Sequence, residues 1–449
     1  MSKATQTRLM KVPKPPDGIP VVVPADPPNK PIEVFRGNFE LRQASRLTLH
    51  GTLEQHWYPH PQLRFTGTTG SGGSADLERA ELHIRSPHCK AAVNVTEIAH
   101  GPNQKVSGIA AGIIRMGQNR AVHAVRFHVP NFQCYVADPV AFTIDRRTVY
   151  SKGRLDFEAN GWRVLLDQDP QWHKRRKTLK ARGGFAIGHA GEIRRLAGGT
   201  FKVQDVSELW TSLHFFLSFV SGGWTGPILA NGIGASKSIW TEWGNWRISD
   251  WKQVFSWLPR TEKPPLEDMF ANHFDLWNRA TWKAPLRELV NWYVEANGNA
   301  GALEGSLIMS HTALDMLSWM LLVVERKRFS KRKFDAKPSA ERILDALNEL
   351  KIPVDIPSTA AAARTFAKPA YPTGPEAVTK YRNWLVHPTP SNRKKVDAMT
   401  RQQRFELLHL CLQYLELGIL ALLDYRGSYL DRMQRDITVA EATVRVPWA

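Results

Sequence analysis

The hydrophobic pattern of this chain changes its period partway along the sequence. Between residues 32 and 202, segments such as RLTLHGTL, AELHIR and HAVRFHV alternate apolar with polar residues, as half-buried strands do. From Pro285 onward, apolar residues recur three and four positions apart, which is typical of amphipathic helices. The two periods predict an α+β protein, with an N-terminal antiparallel β-sandwich-like domain followed by a C-terminal all-α helical bundle. A barrel-like arrangement of the strands is the alternative for the β domain.

One turn inside the β-rich part can be predicted in detail. Two alternating runs flank Asn160 and Gly161 in the stretch GRLDFEANGWRVLLD. An Asn-Gly pair favours the positive φ angles of a tight two-residue turn. We therefore expect a β-hairpin with its turn at Asn160 and Gly161.

Changes in composition divide the chain into five segments. Residues 1–31 are expected to be a flexible proline-rich N-terminus, 32–202 the β-rich domain, 203–284 a mixed Trp-rich connector, 285–432 the helical bundle and 433–449 a C-terminal tail. The connector contains the run SIWTEWGNWRISDWKQVFSW. Packing between domains is the favoured role of these indoles, and stacking on nucleic-acid bases is the alternative.

The charge of the chain points to a polyanionic partner. Its 449 residues include 60 Lys and Arg against 42 Asp and Glu, which gives a formal net charge of +18. Such a balance most often accompanies nucleic-acid binding, although a solvated basic surface would produce the same count.

Cysteine usage and hydropathy indicate a reducing, aqueous compartment. Cys89, Cys134 and Cys411 are far apart in the sequence, and the histidines show no metal-ligand spacing, so we expect no disulfide, metal or cofactor. The N-terminus lacks the apolar segment of a signal peptide, and the apolar runs MLSWMLLVV and LGILALL are too short to cross a bilayer. We therefore expect a cytoplasmic protein with no membrane partner.

The stretch KYRNWLVHP, residues 380–388, closes one predicted helix and carries the most reactive residue types. Thr373 and Glu376 have the spacing of a capping box, and Pro388 disfavours helical geometry at the residue before it. Arg382 falls at the edge of the apolar stripe of this helix, whereas Asn383 and His387 lie off it and are neighbours at i and i+4. The pattern predicts a polar site at the helix end.

These residue types suit metal-free cleavage of a phosphodiester. An imidazole can move a proton to or from a ribose hydroxyl or a leaving oxygen, and a guanidinium can stabilise charge that develops on phosphate. Arg404 and His409 have the same separation as Arg382 and His387, but they lie in the middle of a predicted helix and point in different directions. A polar helix end whose imidazole caps carbonyl groups is the alternative reading of the motif.

Arg382, Asn383 and His387 resemble the signature of the HEPN superfamily, in which an arginine is followed directly by asparagine and a few residues later by histidine. The segments FLSFVSGGWTGPIL, LVNWYVEA and SLIMSHTALDML are similar to the ApeA-like anti-phage branch of that superfamily. That branch combines an N-terminal β domain with a C-terminal HEPN bundle. Asp315 departs from the pattern, since a glutamate is expected at its position.

The resemblance implies a metal-independent endoribonuclease of bacterial anti-phage defence, with Arg382, Asn383 and His387 as its catalytic residues. It implies a homodimer in which two motifs share a cleft, a tRNA substrate, and attack by the 2′-OH that leaves a 2′,3′-cyclic phosphate. The β domain would act as sensor or regulator and answer a phage-derived trigger. A non-catalytic RNA-binding or protein-interaction module with the same bundle remains the alternative.

Three basic runs could bind an RNA backbone. Two of them lie near the motif in sequence, within ERKRFSKRK and NRKK, and a third, HKRRKTLKAR, belongs to the β-rich part. The candidate RNA-binding residues of the first two runs are Arg326, Lys327, Arg328, Lys331, Arg332, Lys333, Arg393, Lys394 and Lys395.

Overall fold

The computed structural model describes most of the chain. The described residues are 15–21, 27–43, 45–70, 78–99, 103–235, 237–252, 254–434 and 442–449. Most of the predicted flexible N-terminus, residues 1–31, therefore lies outside the described residues, as does the central part of the predicted tail, 433–449.

The first six strands form a closed antiparallel barrel, ordered β1-β2-β3-β6-β5-β4. These strands are β1 Ile32–Arg42, β2 Arg46–His56, β3 Gln62–Thr69, β4 Arg79–Ile84, β5 Cys89–Ala99 and β6 Gln104–Ala110. Their alternating apolar residues fill the barrel, as shown by the full burial of Phe39, Leu49 and Val106. The paired glycines Gly51 and Gly67 allow close packing here, because a Cβ on Gly51 would lie 1.9 Å from the carbonyl oxygen of Thr66.

A second, eight-stranded antiparallel sheet follows, in the order β7-β14-β13-β8-β12-β11-β10-β9. Its strands are β7 Ile114–Gly117, β8 Ala124–Pro130, β9 Asp138–Ile144, β10 Arg147–Ala159, β11 Trp162–Gln168, β12 Ile187–Arg195, β13 Ile228–Ile233 and β14 Ser238–Trp243. The predicted hairpin is confirmed, since Ala159 pairs with Trp162 and the turn residues Asn160 and Gly161 have φ angles of 45° and 79°. A short basic helix, α1 Trp172–Arg182, connects β11 to β12.

The predicted sandwich does not form, whereas the barrel-like alternative is found in the first six strands. The β-rich part consists of a closed barrel and a large sheet rather than two facing sheets. Alternation determines which face of a strand is buried, but it does not determine whether the sheet closes on itself.

Residues 203–284, which the sequence identifies as a mixed connector, are built into the large sheet. They supply β13 and β14, and helices α2 Ser207–Ser221 and α3 Leu266–Asn278 cover one face of it. Phe157 of β10 contacts Phe216 of α2 and Phe270 of α3, with ring centroids 5.9 and 5.0 Å apart. Trp240 and Trp257 are buried, so these indoles serve packing.

The C-terminal part is helical, which confirms the α+β class. Its helices are α4 Ala280–Asn297, α5 Ala302–Trp319, α6 Lys331–Asp335, α7 Ser339–Glu349, α8 Ala361–Ala367, α9 Gly374–Val386, α10 Pro390–Ala398 and α11 Arg401–Leu422. A π-helical turn, Met320–Glu325, continues α5, and two short strands, β15 Ser428–Leu430 and β16 Thr443–Arg445, pair after α11. Helix α11 is the central element, because it packs against α4, α5, α8 and α9.

Two of these helices are long and apolar enough to cross a membrane by length and composition alone. They are Ala302–Glu325 and Arg401–Leu422. Each helix overlaps one of the short apolar runs of the sequence and extends beyond it, because polar residues interrupt the apolar stretch. Their most apolar windows are 56% and 72% buried inside the bundle. Such burial is typical of core helices in a water-soluble protein.

Candidate functional site

Helix α9 begins and ends as its sequence predicts. The Thr373 hydroxyl accepts a hydrogen bond from the backbone N–H of Glu376, and the Glu376 carboxylate accepts one from the Thr373 N–H at 3.0 Å. The helix ends at Val386, and His387 has left helical geometry with φ −117° and ψ 77°. Val378 and Tyr381 are fully buried on the face that packs into the bundle. Both ends of the helix that carries the motif are therefore fixed locally.

The Thr373→Ala variant should lose about 1 kcal/mol of unfolding free energy, because it removes this N-cap. Thermal denaturation followed by circular dichroism measures the change. The matched control is Thr365→Ala on α8, where the hydroxyl is exposed and bonds only to a carbonyl of its own helix. Equal stabilities for the two variants would contradict the capping role of Thr373.

Arg382 is half-buried on α9, which packs against α5. Its Nη1 donates to the Asn383 Oδ1 at 3.2 Å, while its buried Nε forms no hydrogen bond with the described residues. The neighbouring His311 of α5 is 2% exposed, and its Nε2 lies 2.9 Å from the Thr379 hydroxyl. Burial and, to a smaller extent, the charges of Arg382 and Arg342 lower the pKa of His311 to about 3. The imidazole that interacts electrostatically with Arg382 is therefore neutral at pH 7.

His387 is exposed, and its side chain forms no hydrogen bond within the described part of the chain. Its backbone is nevertheless held firmly. The His387 N–H donates to the Asn383 carbonyl at 3.1 Å, and the His387 carbonyl accepts from the Thr389 N–H and from the Asn392 side chain, each at 2.8 Å. The imidazole is thus available to a ligand while its attachment point is fixed between α9 and α10.

The basic residues of the NRKK run lie directly beside the motif. Arg393, Lys394 and Lys395 are exposed on α10, which starts three residues after His387. The Lys395 ammonium lies 5.5 Å from the centre of the Trp384 ring on α9. These three cations and the motif therefore belong to one end of the bundle.

The other predicted basic run is partly neutralised by a carboxylate. Arg326 and Arg328 both pair with Glu349 at the end of α7, and Lys327 is exposed next to them. A second group from the same run remains exposed on the short helix α6: Lys331, Arg332 and Lys333. The predicted RNA-binding residues thus fall into three groups. Those around Glu349 are partly neutralised, those on α6 are exposed, and those on α10 are exposed beside the motif.

The residues with motif-like spacing elsewhere are engaged in other contacts. Arg404 pairs with Glu304 at 3.2 Å, and His409 lies 3.1 Å from a guanidinium nitrogen of Arg432. Asp315, at the position where the resemblance leads one to expect glutamate, pairs with Arg342 of α7 at 3.2 Å. These contacts link structural elements to one another.

His311 is the site residue that sequence reasoning missed. It lies in SLIMSHTALDML, where a histidine among apolar helix positions is the signal for a buried polar contact. No group of three His, Cys, Asp or Glu side chains that could hold a metal occurs among the described residues.

The chain is similar to YopA proteins over nearly its whole length. The model of the YopA central domain matches residues 117–254, and the model of the YopA C-terminal domain matches residues 279–443. The first range covers most of the large sheet, and the second contains α4 to α11 with Arg382 and His387. The SPbeta prophage-derived uncharacterized protein YopA of Bacillus subtilis (strain 168) is 28% identical over 438 residues, which cover 94% of this chain and 95% of that protein. No solved structure shows significant similarity to the chain. Similarity to YopA thus extends across both the large sheet and the helical part that carries the motif.

Proposed function

We propose that this protein is a metal-independent endoribonuclease whose catalytic residues are Arg382, Asn383 and His387, carried by a HEPN-type bundle. The observation that supports it best is the contrast between the two ionisable residues at the end of α9. Arg382 is half-buried and hydrogen-bonded to Asn383, whereas His387 is exposed beside the cations of α10. A fixed guanidinium and an accessible imidazole are the groups that phosphodiester cleavage requires.

The proposed reaction is an intramolecular transfer within RNA. The ribose 2′-oxygen attacks the adjacent phosphorus and loses its proton, the bond from phosphorus to the 5′-oxygen breaks, and that oxygen gains a proton. The products are a 2′,3′-cyclic phosphate and a free 5′-hydroxyl. Arg382 would stabilise the added negative charge on the phosphate, and Asn383 would orient Arg382 through the hydrogen bond between their side chains.

The proton balance of this reaction favours a homodimer. One proton leaves the attacking oxygen while another reaches the leaving oxygen, and one imidazole in one protonation state performs only one of these transfers. Two copies of the motif facing a shared cleft would supply both. We therefore propose that the helical part dimerises around His387.

The biological role we propose is bacterial defence against phages in the cytoplasm, with tRNA as the substrate. Two observations support it. The net charge of +18 favours an RNA partner. The similar Bacillus subtilis protein is described as prophage-derived, so one relative is encoded by a prophage. The barrel and the large sheet would sense a phage-derived trigger and restrain the nuclease until it arrives.

A cleavage assay tests the activity. Purified protein is incubated with bacterial tRNA and EDTA, and a lysate of phage-infected cells supplies the trigger. The His387→Ala variant should cleave about 10²–10⁴-fold more slowly than the wild type, which is the usual contribution of a general acid or base. His88→Ala, which changes an exposed histidine of the barrel region, should cleave at the wild-type rate. The products are checked for 2′,3′-cyclic phosphate ends.

The outcomes separate the proposal from its alternative. Equal cleavage by the wild type and His387→Ala would exclude the proposed role of the motif. Binding of tRNA that survives His387→Ala, without any cyclic-phosphate product from the wild type, would identify a non-catalytic RNA-binding module instead.

A further inference from the structure

Helix α1, which connects strands β11 and β12 of the large sheet, carries more positive charge than the described carboxylates around it neutralise. Its 11 residues include six Lys and Arg and no Asp or Glu. Trp172 and Leu179 anchor it through buried side chains, and Arg175 pairs with Asp169 at 3.0 Å. The remaining face presents exposed cations to solvent, which are Lys174, Lys177, Lys180 and Arg182.

Two arginines extend this charge from α1 towards the helical bundle. The Arg176 guanidinium lies 5.5 Å from the centre of the Trp251 ring, and its buried Nε forms no hydrogen bond with the described residues. Burial and, after it, the charge of Arg176 lower the pKa of Arg260, so the two guanidinium groups interact electrostatically. Neither guanidinium pairs with a carboxylate in the described parts of the chain. Two close cations without a carboxylate repel each other, and a bound polyanion would remove that repulsion.

A cleft of about 690 Å³ is lined by Arg260 and by residues of α11. Its lining includes Lys252, which pairs with Asp250 at 3.6 Å, and Phe405 and His409 of α11. Asp431 is the one acidic side chain among the described lining residues, and its carboxylate accepts a hydrogen bond from the Met433 N–H at 2.8 Å.

Helices α11 and α10 connect the cleft to the motif. Arg404, in the first turn of α11, donates to the Val396 carbonyl of α10 at 2.6 Å. Asn392 of the same helix α10 donates to the His387 carbonyl at 2.8 Å. Asn392, Val396 and Arg404 thus link His387 to α11, whose Phe405 lines the cleft. On the other side, Trp251 precedes Lys252 of the cleft and contacts Arg176 of α1. We call this surface the basic path, and we define it by the exposed cations of α10, by Lys252 and Arg260 in the cleft, and by the exposed cations of α1.

We propose that the basic path binds the phosphate backbone of the RNA substrate, so that the β-rich part holds the strand that the helical part cleaves. The charges match, and unpaired bases could stack on the partly exposed rings of Trp251, which contacts Arg176, and of Phe405, which lines the cleft. A flat membrane surface would not enter a cleft. This inference rests on the proposed ribonuclease function, since that function defines where the substrate must reach.

The test uses full-length protein in which His387→Ala prevents cleavage during the measurement. Binding of fluorescent bacterial tRNA is followed by anisotropy over a series of KCl concentrations. Replacing Lys174, Lys177 and Lys180 together by Gln should weaken binding and reduce the slope of log affinity against log salt by about 2–3, because each phosphate contact contributes about 0.7–0.9. These side chains are exposed, so the variant should keep its thermal stability.

A matched variant removes the same charge elsewhere. It replaces Lys90, Lys105 and Lys152 by Gln, three exposed lysines on strands outside the basic path. The salt slope of this control should stay within about one unit of the parent slope. An equal loss of slope in both triple variants would show that only the net charge of the protein matters, and it would overturn the proposal that the basic path binds RNA.

Cleavage by the corresponding proteins with His387 intact separates this inference from the function on which it rests. If the wild type cleaves tRNA and the α1 variant binds and cleaves it equally well, the path is refuted and the ribonuclease stands. If the wild type cleaves no RNA but the α1 variant alone loses tRNA binding, the path stands and the ribonuclease is refuted. Competition by polyglutamate as effective as that by unlabelled tRNA would also refute an RNA-binding path.

Discussion

Acidification from pH 7 to pH 5 is expected to reduce the unfolding free energy by roughly 10 kcal/mol, about 2 kcal/mol for each of five histidines that burial keeps neutral. His128, His189, His273 and His311 are each 1–2% exposed, and the fifth is His214. Burial lowers the pKa from 6.5 to about 4 for His128 and His214 and to about 3 for the other three. The unfolded chain therefore takes up protons at these positions near pH 6.5, whereas the folded chain does so only near pH 3–4. Stability from these groups is present above pH 6.5 and is lost as the pH falls.

Urea denaturation at a series of pH values measures this loss. The His273→Gln variant should show about four fifths of the wild-type pH dependence, since it removes one of the five groups while keeping a polar partner for Ser212. The exposed control His88→Gln should follow the wild type throughout. An unfolding free energy that stays constant between pH 7 and pH 5 would contradict the neutral, buried state of these imidazoles.

The Glu416→Gln variant is expected to lose about 3–5 kcal/mol of unfolding free energy, because it leaves a buried guanidinium without its counter-charge. Arg432 is 0% exposed, and its Nε donates to the Glu416 carboxylate at 2.8 Å. The same carboxylate accepts from the Tyr293 hydroxyl at 2.6 Å, and Arg432 also donates to Asn297 at 2.9 Å. This network ties α4 and α11 to the chain after α11, so its loss should loosen the C-terminal end of the fold.

Thermal and urea denaturation of three variants test the assignment. Glu33→Gln breaks an ion pair with Arg36 that is fully exposed to solvent, so its unfolding free energy should stay close to that of the wild type. The double variant Glu416→Leu with Arg432→Met should be more stable than Glu416→Gln, because it removes both charges and fills their space with apolar atoms. A loss in Glu416→Gln as small as that in Glu33→Gln would show that Arg432 is not held by this carboxylate.

Local features of the site were predictable because their causes are local. The capping box at Thr373 and the helix stop before Pro388 depend on residues three or fewer positions apart, and the turn at Asn160 and Gly161 depends on two. Such features follow from backbone sterics and short-range hydrogen bonds. The start and end of α9, and with them the exposure of His387, could therefore be read from the sequence.

Features that depend on distant partners were not predictable. Strands β13 and β14 come from a segment that appeared to be a connector, because their place in the sheet depends on pairing with β8 and β7. Closure of the barrel depends on pairing between β1 and β4. The burial of His311 against α9, and the contacts that join α10 to the cleft and the cleft to α1, likewise arise only when distant segments meet. A hydrophobic period does not encode such pairings.

The central claim is tested most directly by sequencing of RNA ends. The RNA comes from bacteria that express the wild type, Arg382→Ala or His387→Ala under triggering conditions. The method captures the 2′,3′-cyclic phosphate ends that the proposed reaction leaves. We predict that the wild type accumulates such ends at discrete tRNA positions, and that both variants, expressed at equal levels, lose them. The same pattern of ends in all three strains would contradict a nuclease built on Arg382 and His387.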